Sequence, residues 1–293
     1  VSGALAVFGR NQVAVLQGDD ATNWVLRKLA DDAGAIEGSV QMIGTPVYLD
    51  DRGLRSLQTT ERFGDFLRGT LTRMIVPLLR RKKDVGRTVA ASYRVRSKDQ
   101  YRLLWDDGTG FIFYFGRKQP EVLPVDMGFT PAAAFSGEDL DGNEILLVGA
   151  DNGYVYEMDS GTSFDGEKVL AYLRLPFNHL GAPTQRKRYH KATMEVDARA
   201  DTVIGLSAEF SYGDSGQPPV IEQQFTVRGG GGFWTEDAWD RFQWSSPVEG
   251  LAEAHISGIG TNMSIAVVSE ATYEQPHTLH GLTLHFTPRG LKR

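Results

Sequence analysis

The stretch that decides the fold runs from Tyr101 to Ile112 and has the sequence YRLLWDDGTGFI. Two short apolar and aromatic segments flank Asp106-Asp107-Gly108. A glycine directly after Asp or Asn is typical of a tight turn, because glycine adopts positive φ at little cost. In Leu146–Tyr156 a glycine again follows Asn152 directly, and in Val47–Leu57 one residue separates Asp51 from Gly53. The pattern predicts a series of antiparallel hairpins.

The spacing of these hairpins indicates a repeated architecture. The turn glycines Gly53, Gly108 and Gly153 are about 45 to 55 residues apart, which is within the range of four-stranded propeller blades. A further hairpin is predicted within Leu5–Leu16, with its turn at residues 9–12. Residues 1–175 are therefore predicted to form a β-propeller-like region, which is partial because only about three blades are recognisable.

One helix is predicted inside this region, from Phe63 to Arg81, because its apolar residues follow the 3.6-residue helical period. A basic run follows at its C-terminal end, where cations complement the helix dipole. These residues are candidates for a subunit interface or for contact with DNA, and the alternative is a solvated helix end. The candidates are Arg80, Arg81, Lys82 and Lys83.

A second domain is predicted for residues 176–293, because the composition shifts near Leu175–Asn178 and the apparent strands then lengthen. Several antiparallel strands with Pro-rich and Gly-rich connections favour a β-sandwich-like domain. The predicted strands are Ala192–Val196, Val203–Tyr212, Ile221–Val227, Ala252–Ile259, Met263–Glu270 and Leu279–Thr287. The fold class is therefore all-β dominated: a partial β-propeller with an inserted helix, followed by a β-sandwich-like domain.

Composition excludes several kinds of site. The chain of 293 residues has no cysteine, which excludes disulfides and thiolate metal sites and fits assembly in a reducing cytoplasm. A formal charge of -6 argues against tight binding of phosphates, although a conduit through which DNA slides tolerates that balance. No apolar run reaches the roughly 20 residues of a membrane helix, so no membrane insertion is predicted. The N-terminus resembles the middle of a strand, and we expect a further segment before Val1.

Two more groups are candidates for binding. A basic run at residues 186–191 precedes a predicted strand, and Arg186, Lys187 and Arg188 are candidates for an interface or for DNA contact, with a solvated face as the alternative. Trp234, Trp239 and Trp244 belong to a dense aromatic cluster. Such a cluster fills a core or a subunit interface, or stacks on sugars or nucleobases.

Signs of catalysis are missing from the sequence. His280 and His285 would point to opposite faces of one strand, so a metal site is not predicted there. The acidic segment Asp139–Glu144 lacks the length and the terminal Glu of an EF-hand loop, and a polar hairpin turn is favoured. No Gly-x-Ser-x-Gly motif is present. The sequence therefore predicts no enzyme activity, no catalytic residue, no metal and no cofactor.

Several motifs together resemble one family, the tail nozzle proteins of podoviruses, also called tail tubular protein B or phage stabilisation proteins. The resemblance extends over much of the chain, and each motif is a signature of a fold and not of catalysis. The motifs are Gly9-Arg10-Asn11, Trp24–Ala35, Tyr48–Leu54, Ser97–Leu103, Gly153–Tyr156, Phe177–Pro183, Phe210–Asp214 and Pro288–Leu291.

The resemblance implies a structural virion protein. It implies a ring of identical subunits, six in the family, which lies below the portal and adaptor, seals the channel until ejection and then conducts double-stranded DNA. The implied neighbours are portal-adaptor proteins and tail fibre or spike proteins. The implied location is the virion tail, after assembly in the cytoplasm of the bacterial host.

Two alternatives stay open at this point. The first is a receptor-binding or carbohydrate-binding propeller module, based on the aromatic cluster and on residues 159–164, which are similar to the Asp-box turn of propeller blades. The second is a propeller glycosidase, which would need convergent carboxylates at a defined separation in the propeller mouth.

Overall fold

Strands dominate the protein. The structure is a computed structural model that describes residues 4–58, 60, 70–82, 88–95, 98–116, 120–198, 202–212, 223–227, 250–271 and 277–291. The prediction of an all-β-dominated chain is confirmed. The chain divides into two compact units, Val1–Ser160 and Gly161–Arg293.

The described residues of the first unit form four small antiparallel sheets, each made of strands that follow one another directly along the chain. The first sheet has β1 (Leu5–Phe8), β2 (Val13–Gln17) and β3 (Val25–Ala30), and the second has β4 (Gln41–Ile43), β5 (Thr45–Asp50) and β6 (Gly53–Ser56). The third has β7 (Thr88–Val95), β8 (Lys98–Trp105), β9 (Thr109–Tyr114) and β10 (Glu121–Asp126), and the fourth has β11 (Pro131–Glu138), β12 (Glu144–Ala150) and β13 (Val155–Glu157).

The hairpins expected from the Asp/Asn-Gly turns are confirmed. β5 pairs with β6, β8 with β9, and β12 with β13, all antiparallel. The turn residues Gly53, Gly108 and Gly153 have φ of 129°, 83° and 86°. The N-terminal hairpin is also confirmed, since β1 pairs with β2.

Alternation along β8 and β9 builds the largest core of this unit. Tyr101, Leu103 and Trp105 lie on one face of β8 and are buried together with Phe111 and Phe113 of β9. The period of two residues in a strand brings these large side chains to the same side.

The predicted continuous helix from Phe63 to Arg81 is wrong in its second half, and residues 61–69 lie outside the described part of the chain. Thr70 forms a β-bridge with Arg55, and a 3₁₀ turn (Arg73–Ile75) leads into a short helix, α1 (Val76–Lys82). Of the expected apolar stripe, Leu79 is buried, whereas Met74 is 88% exposed.

The reason for this difference lies in the edge of β6. The N–H of Leu71 donates to the carbonyl of Leu54 at 2.8 Å, and the N–H of Leu54 donates to the Thr72 hydroxyl at 3.0 Å. Both backbone groups of Leu54 are therefore satisfied by residues 71 and 72. Helical periodicity takes no account of such long-range partners.

The described residues of the second unit form two sheets. One has the order β14-β19-β16-β17 and the other the order β18-β15-β20. Their strands are β14 (Val169–Arg174), β15 (Gln185–Ala198), β16 (Thr202–Phe210), β17 (Gln223–Val227), β18 (Gly250–Gly260), β19 (Met263–Ala271) and β20 (His277–Leu291). Residues from both sheets, including Met194, Leu206 and Ile265, share one buried cluster.

The division between the units differs from the predicted domains, 1–175 and 176–293. The division falls after Ser160, so β14 belongs to the second unit. β14 pairs with β19 from Val169↔Ala271 to Arg174↔Ala266. The composition shift near residue 175 marks the end of this strand and not the end of a domain.

Candidate functional site

The first basic run ends α1. Arg80 and Arg81 are exposed, whereas Lys82 is half-buried and donates to the carboxylate of Asp107 in the turn between β8 and β9. Lys83 lies outside the described residues. Of the four candidates for an interface or for DNA contact, Arg80 and Arg81 thus present their charge to solvent.

The ion pair of Lys82 and Asp107 has an electrostatic signature. The hydrogen bond from Lys82 lowers the pKa of Asp107 to about 2, and the hydrogen bonds from Thr109 act in the same direction. Partial burial of the carboxylate opposes this shift. The pair joins the end of α1 to the third sheet, which is a structural role.

The second basic run does not precede a strand, as the sequence analysis predicted, but lies within one. β15 begins at Gln185, so side chains alternate between the two faces of its sheet from there. Arg186 and Arg188 are exposed on the outer face, whereas Lys187 points to the opposite face and is 1% exposed.

Lys187 is therefore not a candidate for an interface or for DNA contact. Its ammonium group donates to the carbonyl oxygens of Ala182, Gln185 and Thr261 at 2.7, 3.2 and 3.0 Å. Burial lowers the pKa of Lys187 below its ordinary value. A buried cation with three backbone acceptors fixes the loops at this end of the sheet.

The outer face of the β18-β15-β20 sheet collects basic and imidazole side chains. In the register of the sheet, Lys191 of β15 lies between His255 of β18 and His285 of β20. His190 lies in an irregularity of the register, and its Nε2 is 2.7 Å from the hydroxyl of Thr287 on the same face. We call this surface the basic face, and it comprises Arg186, Arg188, His190, Lys191, His255 and His285.

A carboxylate lies next to Lys191, and Glu195 and Asp197 follow further along the same face of β15. Glu253 of β18 accepts a hydrogen bond from Lys191 at 2.6 Å. This hydrogen bond lowers the pKa of Glu253, and the charges of Lys191, His285 and His255 lower it further. The carboxylate is thus stabilised in its charged form by the groups around it.

The histidines are not arranged as a metal site. In the described part of the chain, no group of three or more His, Asp or Glu side chains could hold a metal ion. The Nε2 of His285 lies 3.3 Å from the hydroxyl of Thr193.

The acidic segment that starts at Asp139 is a hairpin turn, as favoured from the sequence. The Asp139 carboxylate accepts hydrogen bonds from the N–H groups of Asp141 and Asn143 at 2.9 and 2.7 Å, and from the Asn143 side chain at 3.1 Å. These bonds, with those of Asn143 the largest cause, lower the pKa of Asp139. These hydrogen bonds explain why an acidic residue stands at position 139, where its carboxylate closes the turn.

The aromatic candidates Trp234, Trp239 and Trp244 lie outside the described residues. A different aromatic group, missed in the sequence analysis, lies at the turn between β12 and β13. Tyr156 stacks on Phe129 with ring centroids 4.6 Å apart, and Tyr154 next to it is 69% exposed. The alternation of Tyr154 and Tyr156 around Val155 was the available signal.

An apolar surface on the first sheet was also missed. Cross-strand register places Leu5, Leu16 and Leu26 in one row across β1, β2 and β3, with Val7 on the same face of β1. Leu5, Val7 and Leu26 are 62%, 46% and 64% exposed. We call these four residues the apolar face. The sequence signal for this surface was that β1 is apolar on both faces. Ala6 and Phe8 pack into the core on one side, and Leu5 and Val7 lie on the other.

Comparison with known proteins adds no assignment. No protein-family model matches the chain, and no curated protein matches its sequence. Among the described helices, none is long and apolar enough to cross a membrane.

Proposed function

We propose that this chain is a structural subunit of the tail nozzle of a short-tailed bacteriophage. In this proposal it forms a ring of identical subunits, six by the family's pattern, that closes the tail channel and conducts double-stranded DNA during ejection. Its neighbours are portal-adaptor proteins and tail fibre or spike proteins of the virion. Its role is assembly and passage, without a chemical step.

The observation that carries the proposal is the order of architecture along the chain. In the described residues, four consecutive up-and-down sheets are followed by a two-sheet unit. Up-and-down antiparallel sheets in series are typical of β-propeller blades, and we propose that the first unit supplies such blades.

The apolar face supports assembly into a larger object. Leu5, Val7 and Leu26 expose apolar surface on one sheet, and contiguous exposed apolar surface is typical of protein interfaces. β1 and β3 are also the edges of that sheet, so their backbone groups are accessible to another strand. In the proposal, a neighbouring subunit of the ring covers this surface.

The test is the mass of the assembly in solution and its dependence on the apolar face. We expect light scattering to give a multimer for the unmodified protein and smaller species for Leu26→Glu, because a buried charge at an interface is costly. Leu140→Glu is the matched control, since Leu140 is fully exposed in the β11–β12 turn. A monomeric unmodified protein, or equal loss of assembly in both variants, would refute the role of this face.

A carbohydrate-binding module is the second candidate, and one observation favours it. Tyr154 and Tyr156 lie side by side with ring centroids 6.4 Å apart, and exposed aromatic rings stack on sugars. Binding to a glycan array that is lost in Tyr154→Ala, in a protein that stays monomeric, would favour this candidate over the nozzle.

A further inference from the structure

We propose that the basic face binds the phosphate backbone of double-stranded DNA. The inference rests on the proposed function, because it assigns to one surface of the chain the contact with the DNA that the nozzle conducts. That surface is the end of the outer face of the β18-β15-β20 sheet that carries Arg186 and Arg188.

The alternation of side chains along β15 brings two arginines to one face. Because Lys187 is turned inward and held by three carbonyls, Arg186 and Arg188 project from the same outer face, about 7 Å apart along the strand. Lys191 continues the same face beyond the irregularity at His190. Three permanent cations thus follow one strand, an arrangement that fits a row of phosphates.

The balance of charge on this face changes along β15. The carboxylate of Glu253, which lies in the row of Thr193, is paired with Lys191, and no acidic side chain lies in the rows of Arg188 and Lys191. Further acidic residues on the same face of β15 lie beyond Thr193, at Glu195 and Asp197. The end of the sheet that carries Arg186 and Arg188 is therefore positive, although the whole chain has a charge of -6.

The expected affinity is that of non-specific binding. No base-reading element is invoked, so the dissociation constant should lie around 10⁻⁴ to 10⁻⁶ M at physiological salt. Weak, salt-dependent contact of this kind lets DNA slide along a protein surface. Such contact suits a conduit better than tight binding does.

The experiment measures fluorescence anisotropy of a labelled 20-base-pair duplex with the purified protein between about 50 and 200 mM NaCl. The dependence on salt reports about 0.9 counterions released per phosphate contact. The double variant Arg186→Gln/Arg188→Gln should bind about tenfold more weakly, with a salt slope shallower by about 2. The matched control is Arg73→Gln/Lys168→Gln, which removes the same charge from exposed positions outside this sheet.

Unchanged affinity and an unchanged salt slope in Arg186→Gln/Arg188→Gln, or equal weakening in the control pair, would overturn the proposal.

Light scattering on the same samples tests the proposed function separately. A ring that does not bind DNA through these residues would overturn this inference and leave the nozzle proposal intact. DNA binding through the basic face by a protein that never forms a ring would support the surface and contradict the nozzle.

Discussion

Gly108 and Gly128 lie in turns of the first unit, and both have positive φ, 83° and 69°. A Cβ on Gly108 would lie 2.9 Å from the carbonyl oxygen of Phe129, whereas a Cβ on Gly128 would meet nothing within 4 Å. We expect Gly128→Ala to cost about 1–2 kcal/mol for the left-handed backbone. Gly108→Ala should cost roughly 1–3 kcal/mol more because of the contact.

Urea unfolding followed by circular dichroism measures both free energies. If the two alanine variants lose equal stability, the close approach of Phe129 does not restrict position 108.

Lys187 offers a second prediction at the scale of one residue. Lys187→Met keeps much of the buried volume and removes the donor of three carbonyls, so we expect a loss of about 1–3 kcal/mol in the free energy of unfolding. The exposed neighbour Arg188→Met should change it by less than about 0.5 kcal/mol. Equal values for the two variants in urea titrations would contradict the inward orientation of Lys187.

The orientation of Lys187 could have been predicted from the sequence. Alternation assigns residues 186 and 188 to one face and 187 to the other once the strand begins at Gln185. From the sequence alone the strand is expected to begin at Ala192, because six polar and basic residues precede it. A lysine is acceptable on the core side because the carbonyl oxygens of Ala182, Gln185 and Thr261 accept its hydrogen bonds. No local sequence pattern reveals these acceptors.

The ion pair of Lys82 and Asp107 links α1 to the third sheet. Its contribution to the free energy of unfolding depends on pH. The folded protein holds the pKa of Asp107 at about 2, below its ordinary value of 3.8, mainly through Lys82. The unfolded chain therefore binds a proton first as the pH falls. The stabilisation is complete above about pH 5 and is lost as the pH falls through about 2.

Asp107→Asn tests this dependence. The variant should be less stable than the unmodified protein at pH 7, and the difference should shrink steadily from pH 4 to pH 2. Urea unfolding at pH 7, 4 and 2.5 measures it, with Asp141→Asn in the β11–β12 turn as the control. A difference that stays constant over this range would mean that the carboxylate is not held by Lys82 in solution.

Elements whose conformation depends on neighbouring residues were predicted well from the sequence. Elements whose conformation depends on residues far along the chain were not. The hairpins of β5–β6, β8–β9 and β12–β13 follow from glycines with positive φ in their turns, which are local. The helix expected over residues 63–81 shortened to Val76–Lys82 in its described part, because residues 70–72 serve as partners of Arg55 and Leu54. Pairing between segments that are far apart in sequence produces no periodic pattern in the sequence.

For the whole molecule, composition suggested the second unit but misplaced its start. β14 pairs with β19, almost a hundred residues later along the chain, so it belongs to the second unit. The basic face likewise depends on β15, β18 and β20 lying together, although their residues are far apart in sequence. The sequence pointed to Arg186 and Arg188, and the sheet register added His255 and His285 to them.

The central claim is that the protein works as a ring around a channel, and negative-stain class averages of the purified protein test it most directly. The proposal predicts closed rings with an open or plugged centre, and six subunits around it, for the protein alone or after mixing with candidate portal and adaptor proteins. Particles that remain single subunits under both conditions would contradict it.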